Sequence, residues 1–334
     1  MREIDEYIRH ISTVRRYSER TQAIYRSVLE EFLGYADPSA TNPRRLLTVN
    51  NIRSYEVWLS DTKGESARTI DLHLSVLSVF CRYLVGRDLL DTNPVKLVPR
   101  PKTEKRLPVF YRADAMEQYL SDSAHAASED ELELLLAEVS HAGDRAPSTS
   151  GGISPLAAEL YERRLRRLII SMLYNTGMRR AELIGLDRSS FDSVRRIFRV
   201  HGKGDKTREV PAVPALCDEL QLYFQAAGAV CGGHSASSPL LMTVSGKRLY
   251  PVYVDRAVKK ELGGAEGITG RKSPHVLRHS LATQLLNDGT DLNSIKELLG
   301  HSSLAATQVY THNSVERLKA VYENAHPRAD KNGS

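Results

Sequence analysis

Apolar positions in the first hundred residues recur at intervals of three and four. Ile4, Tyr7, Ile8 and Ile11 make one stripe and Ile24, Tyr25, Val28, Leu29 and Phe32 a second, both with the period of an amphipathic helix. A third helix is predicted from about Asn51 to Leu59, stopping before Gly64. A fourth begins at a Ser66 cap, carries Ile70, Leu74, Leu77, Phe80, Cys81 and Leu84 on one face, and ends at Gly86. Asn93-Pro94 closes the group, so residues 1–97 are expected to form one four-helix module.

Residues 98–107 hold Pro99 and Pro101 among Arg100, Lys102, Lys105 and Arg106, a stiff basic linker whose cations suit a phosphate backbone alongside or simply a solvated surface. A second domain follows over residues 108–334. It is interrupted at about 121–154 by a stretch rich in Ala, Ser, Gly and acids that reads as a flexible insertion, with a short acidic helix expected within it from Glu129 to Val139. Leu165, Leu168, Ile169, Met172 and Leu173 supply the buried stripe of a strong helix over about 155–175, which Gly177 ends; another starts at Arg180 and runs to Leu186.

There the period changes. Ile197–Val200 and Arg208–Val213 are short extended runs around GKGDK, a predicted β-hairpin. Further helices are expected at about 213–227, 250–262, 274–287, 291–299, 303–312 and 314–324, with Asp291 a candidate cap and Gly289 and Gly300 stops. The fold class expected is mainly α (α+β): a helical N-terminal domain and a mainly helical second domain with a small antiparallel sheet.

Composition narrows the partners. The 334 residues carry 46 Lys+Arg against 41 Asp+Glu, a formal charge of +5, with 26% charged and 41% hydrophobic residues, which excludes a wholly disordered chain. From Ala113 to Asp144 there are nine acids and no Lys or Arg, so this segment should lie away from any surface that meets a polyanion, and the rest of the chain is more basic than the total. No apolar run approaches the roughly 20 residues of a membrane helix. MREIDEYIRH lacks a signal-peptide core, and three scattered cysteines without a CxxC fit a reducing compartment, so a cytoplasmic location is expected.

Four clusters can carry chemistry: TGMRRAEL (176–183), HGKGDKTREVP (201–211), HVLRHSLATQLLNDG (275–289) and LLGHSSLAATQVYTH (298–312). Each alone is weak, since an Arg at a helix start is usually a surface cation and a Tyr on an amphipathic helix is usually packing. Together, Arg179, Lys203, His275, Arg278, His301 and Tyr310 form an inventory of two guanidiniums, an ammonium, two imidazoles and a phenol. Guanidinium forks hold phosphate oxygens and stabilise a five-coordinate phosphoryl transition state. A phenol can attack in line, an imidazole can take its proton, and a lysine can supply one to the departing alkoxide. This inventory suits phosphodiester transesterification, with no metal required if the protein's own cations neutralise the charge and no cofactor expected. His275 and Arg278, three apart at a helix start, share a face, and Ser273-Pro274 is a credible cap and first-turn pair.

These motifs, with SPHVLRHSLATQLLNDG and a terminal AHPRA, resemble the tyrosine recombinase (phage integrase) family, most of all its Xer branch, and residues 1–97 are similar to that branch's helical core-binding DNA-binding domain. The resemblance implies that Arg179, Arg278 and His301 contact the scissile phosphate and that Tyr310 attacks it. Lys203 is then the general acid, His275 a general base or phosphate ligand, and Glu182 a supporting partner of Arg179. It implies a two-domain clamp on a double-stranded DNA site, a homo-tetramer or a tetramer with a sister recombinase, residues 314–326 docking on a neighbour, a DNA translocase as a further partner, nucleoid association and chromosome dimer resolution. Integration or inversion by a mobile element remains an alternative, as does a non-cleaving DNA-binding protein of the same fold. A helix-borne zinc site at His275 and His279 is disfavoured because Val276 stands where a zinc protease needs Glu. A type IB topoisomerase shares the chemistry, but the Xer-like N-terminal module argues against it. Tyr322, with Val315, Leu318 and Val321, reads as packing.

Overall fold

The computed structural model describes residues 2–37, 43–102, 109–143, 153–202, 207–232 and 235–300. The chain divides into two compact units, Met1–Leu107 and Pro108–Ser334.

In the first unit the apolar stripes become four helices: α1 (Arg2–Thr13), α2 (Glu19–Ala36), α3 (Val49–Val57) and α4 (Ala67–Val85). Ser18, Thr48 and Ser66 cap the last three, each side chain accepting a backbone N–H three residues on. Ile4, Tyr7, Leu29, Phe32, Ile52, Tyr55, Leu74, Leu77 and Phe80 meet in a core of their own. The third helix does not stop at Leu59: a π-helical turn, Trp58–Thr62, continues it and keeps Leu59 buried. The linker cations behave unlike free phosphate ligands in one case. Arg100 donates to Asp71 Oδ1 at 2.7 Å and Ser75 Oγ at 2.8 Å, so its charge is tied to α4. Residues 103–108 lie outside the described residues.

The second unit is built on α7 (Pro155–Thr176), whose residues from Leu168 to Thr176 are all buried. Two groups pack on it. One comprises α6 (Glu129–Gly143) and α9 (Pro214–Cys231), the other α10 (Pro251–Gly263) and α11 (Pro274–Asn287), and within each group the members also touch. Between α7 and α9 come the short helix α8 (Arg180–Gly185) and an antiparallel sheet in the order β1 (Phe191–Asp192), β2 (Ile197–His201), β3 (Thr207–Pro211), with Phe198 opposite Val210. The expected hairpin is β2–β3; β1, only two residues long, is an addition the pattern did not announce. Helix α12 (Leu292–Leu299), capped by Asp291, ends in a left-handed Gly300 and packs on α11.

The insertion expected to be flexible at about 121–154 is largely helical. It is occupied by the end of α5 (Ala113–Asp122), a 3-10 turn at Ala124–Ala127 and the whole of α6. The acids conceal an apolar stripe, with Leu132 and Leu135 buried and Leu136 and Val139 packed against the core. Arginines of α7 clamp the segment: Arg163 pairs with Glu131, Arg164 donates to the Ser128 carbonyl at 2.6 Å, and Arg167 to those of Ser123 and Leu120 at 2.9 and 3.1 Å. Residues 144–152 of the insertion, and the helices expected at 303–312 and 314–324, lie outside the described residues. Among the described residues no helix is long and apolar enough to cross a membrane.

Candidate active site

The site grows from the C-terminal end of α12. The last carbonyls of a helix lack intrahelical partners and carry the negative end of its dipole, so they attract cationic donors. Here three arginines distant in sequence take three successive carbonyls. Arg208 Nε donates to Leu298 O at 3.1 Å, Arg278 Nη2 to Leu299 O at 2.6 Å, and Arg179 Nη2 to Gly300 O at 2.9 Å. Arg278 Nη1 also donates to Gly177 O, at the end of α7, at 2.6 Å.

Two glycines make the approach possible. Gly177 has φ +60°, and a Cβ there would stand 2.6 Å from Leu299 Cδ2 and 3.0 Å from Leu281 Cδ2. Gly300 has φ +64°, and a Cβ there would stand 3.1–3.2 Å from the Arg208 guanidinium. Both positions need left-handed backbone and an open face at once.

Arg179 is the residue preceding α8, and Glu182 on the first turn accepts its backbone N–H at 2.8 Å and its Nη1 at 2.7 Å. Arg208 closes on the same carboxylate with both terminal nitrogens, at 3.0 and 2.9 Å. Burial would by itself raise the Glu182 carboxyl; the Arg208 hydrogen bonds, the Arg179 backbone N–H and the nearby positive charges outweigh it and hold the group at about 2. Arg278 is 7% exposed, and burial, then the charge of Arg179, pulls its guanidinium down to about 10. It therefore stays cationic at neutral pH. The Arg179 side chain remains 38% exposed, able to face a ligand.

On α11 the stripe Leu277, Leu281 and Leu285 is buried, which turns Arg278 inward to the α12 end while His275 on the first turn stays exposed. Ser273 occupies the N-cap position, yet its side chain makes no capping bond, contrary to expectation. Beside His275 opens a cleft of about 570 Å³ lined by Lys259, Arg271, Lys272 and Arg180, the last paired with Asp255. A cationic wall thus flanks the helix start.

Of the predicted site residues, Arg179, Arg278 and Glu182 come together here, and His275 sits at the mouth of the adjoining cleft. Lys203, His301 and Tyr310 lie outside the described residues. Arg208 was missed. Its signal was an arginine sharing the inward face of a strand with Val210, where the alternation calls for an apolar side chain.

Comparison with known proteins decides the family. Residues 157–317 match the phage integrase family and residues 4–88 the phage integrase N-terminal SAM-like domain. A protein of Chlorobaculum parvum called tyrosine recombinase XerC is 32% identical over 98% of this chain and 94% of its own length. The chain belongs to the phage integrase family. A Mycobacterium bovis tyrosine recombinase XerC is 37% identical over 85% of both chains. Among solved structures, a lambda integrase dimer bound to a COC' core site is similar in fold, with a TM-score of 0.58 and 18% identity over 99% of this chain and 79% of that one. A lambda integrase tetramer bound to a Holliday junction has a TM-score of 0.57 at 18% identity, over 92% and 80% of the two chains.

Proposed function

We propose that this tyrosine recombinase cuts duplex DNA by attack of the Tyr310 phenol oxygen on a phosphodiester. The new bond is a 3′-phosphotyrosine, the broken bond is that to the 5′-oxygen, and the departing alkoxide takes a proton from Lys203. Arg179, Arg278 and His301 hold the phosphate, and His275 acts as general base or as a further phosphate ligand. A 5′-hydroxyl from a second duplex then attacks the phosphotyrosine and releases the phenol. Each step exchanges one phosphoester for another, so neither ATP nor a metal is called for.

The observation that carries this reading is the convergence of Arg179 and Arg278 on the Leu299 and Gly300 carbonyls, immediately before His301 in the chain. Guanidiniums held by fixed carbonyl partners are already oriented and keep other N–H groups for phosphate oxygens, which is how fixed donors stabilise charge that develops in a transition state. The cationic cleft beside His275 supplies a wall for flanking phosphates. Residues 1–97, matching the SAM-like domain over most of their length, serve as the core-binding module joined by the basic linker, and residues 108–334 as the catalytic domain.

Relatives called XerC support Xer-type recombination, with resolution of chromosome dimers as the task, in the cytoplasm on the nucleoid. Exchange of two duplexes needs four active sites, and lambda integrase, a protein of the same fold, has been seen as a tetramer on a Holliday junction. A tetramer, of this chain alone or with a sister recombinase, is the working assembly, and a DNA translocase is a further partner.

The test uses a duplex with a nick just beyond the scissile linkage, so that the cut fragment diffuses away. Wild type should give a protein–DNA adduct that survives denaturation. Tyr310→Phe should bind the site and give none; an undiminished adduct would overturn the assignment.

A further inference from the structure

Arg208 carries no role in the chemistry above, yet its side chain is 6% exposed and its charge is enclosed with that of Glu182. Burying a guanidinium is costly unless its donors are met. Arg208 meets them on two parts of the site: it forks onto Glu182, and its Nε takes Leu298 O at 3.1 Å. Glu182 spends its remaining acceptor capacity on Arg179, one oxygen on Nη1 and the other on the backbone N–H. The Leu298 carbonyl is the first of the three in a row, and the next two orient Arg278 and Arg179.

We propose that Arg208 is a positioning residue for the phosphate-binding arginines, fixing Arg179 through Glu182 and fixing the end of α12, against which both arginines are set, through Leu298. It touches no substrate. The inference rests on the reading of Arg179 and Arg278 as phosphate ligands. The guanidinium suits this place because its three nitrogens, spread in one plane, reach two carboxylate oxygens and a carbonyl at once, whereas a lysine has a single nitrogen to set among them. Among the described residues, the charged groups around Glu182 are Arg179 before α8, Arg208 on β3 and Arg278 on α11. Take Arg208 away and, among the described residues, the buried carboxylate keeps Arg179 as its hydrogen-bonded cation. Burial then favours its protonated form, which loosens the hold on Arg179 as pH falls.

The experiment compares full-length wild type, Arg208→Gln and Arg208→Lys in adduct formation on the nicked duplex at saturating protein, from about pH 5.5 to 8. Site binding and the thermal midpoint are measured alongside. Arg208→Gln should bind DNA within about threefold of wild type but cleave about 100-fold more slowly at neutral pH, the scale of a misplaced reacting group. Its rate relative to wild type should fall further toward acid, and adding Glu182→Gln should remove that extra acid dependence. Arg208→Lys should recover part of the rate.

Cleavage by Arg208→Gln within about threefold of wild type overturns the proposal. So does a loss in which binding, stability and cleavage fall together with an unchanged pH profile, the mark of a purely structural residue. If Arg208→Gln does not fold, Arg208→Lys decides on rate: it should cleave more than about threefold more slowly than wild type with binding and thermal midpoint kept, and either cleavage within about threefold or a parallel fall of all three overturns the proposal. A wild-type rate for Arg179→Ala in this assay would instead sink the phosphate-ligand reading, whatever Arg208 does.

Discussion

Glu182 receives four hydrogen bonds from two arginines, and that one carboxylate explains why the first guanidinium of the site stands where it does. Its folded value of about 2 lies below the ordinary 4.5, so its ionised form stabilises the fold above about pH 4.5, and that contribution is lost as pH falls toward 2. Glu182→Gln keeps the shape but not the charge and leaves Arg208 buried beside a neutral amide, at a cost of about 3–5 kcal/mol near neutral pH. The stability gap between wild type and Glu182→Gln, read from urea midpoints, should hold steady above pH 4.5 and narrow below it. A gap that does not change with pH would mean the carboxylate is not held ionised by its neighbours. Arg179, Arg278 and Glu182, which the structure brings together, lie in stretches whose resemblance to a family's motifs singles them out in the sequence. For Arg208 the alternation with Val210 marks an inward position, but its role depends on the carboxylate arriving from α8, which a five-residue strand does not reveal.

At the scale of elements, the site depends on how closely the ends of α7 and α12 approach. Gly177 sits where they meet, left-handed and 2.6 Å from Leu299 Cδ2 by the position a Cβ would take. Gly177→Ala combines a left-handed backbone penalty with overpacking, together about 2–4 kcal/mol. We expect a lower thermal midpoint and a cleavage rate that falls more than DNA binding does, because the displaced Leu299 carbonyl orients Arg278. An unchanged midpoint would contradict the close packing. In the acid-rich segment the helix expected from Glu129 to Val139 is present as α6 and runs on to Gly143, and the stripe Leu132, Leu135, Leu136 and Val139 holds it to the core. Strand β1 was illegible because two residues give no alternation to read.

For the whole molecule, two units with separate cores were visible in the apolar periodicity and in the prolines and cations between them, because each core is assembled from helices adjacent in sequence. What periodicity could not supply was the meeting of residues 179, 208 and 278 on one helix end, a product of tertiary contacts over as many as 121 positions. The proposed mechanism requires that a nucleophile be brought to this helix end. The direct measurement is to digest the trapped covalent complex with trypsin and sequence the peptide that carries the nucleotide. Cleavage after Lys296, Arg317, Lys319 and Arg328 puts Tyr310 and Tyr322 on different peptides. The nucleotide should be found on the peptide 297–317, at Tyr310; a nucleotide on 320–328, at Tyr322, would contradict the proposed attack.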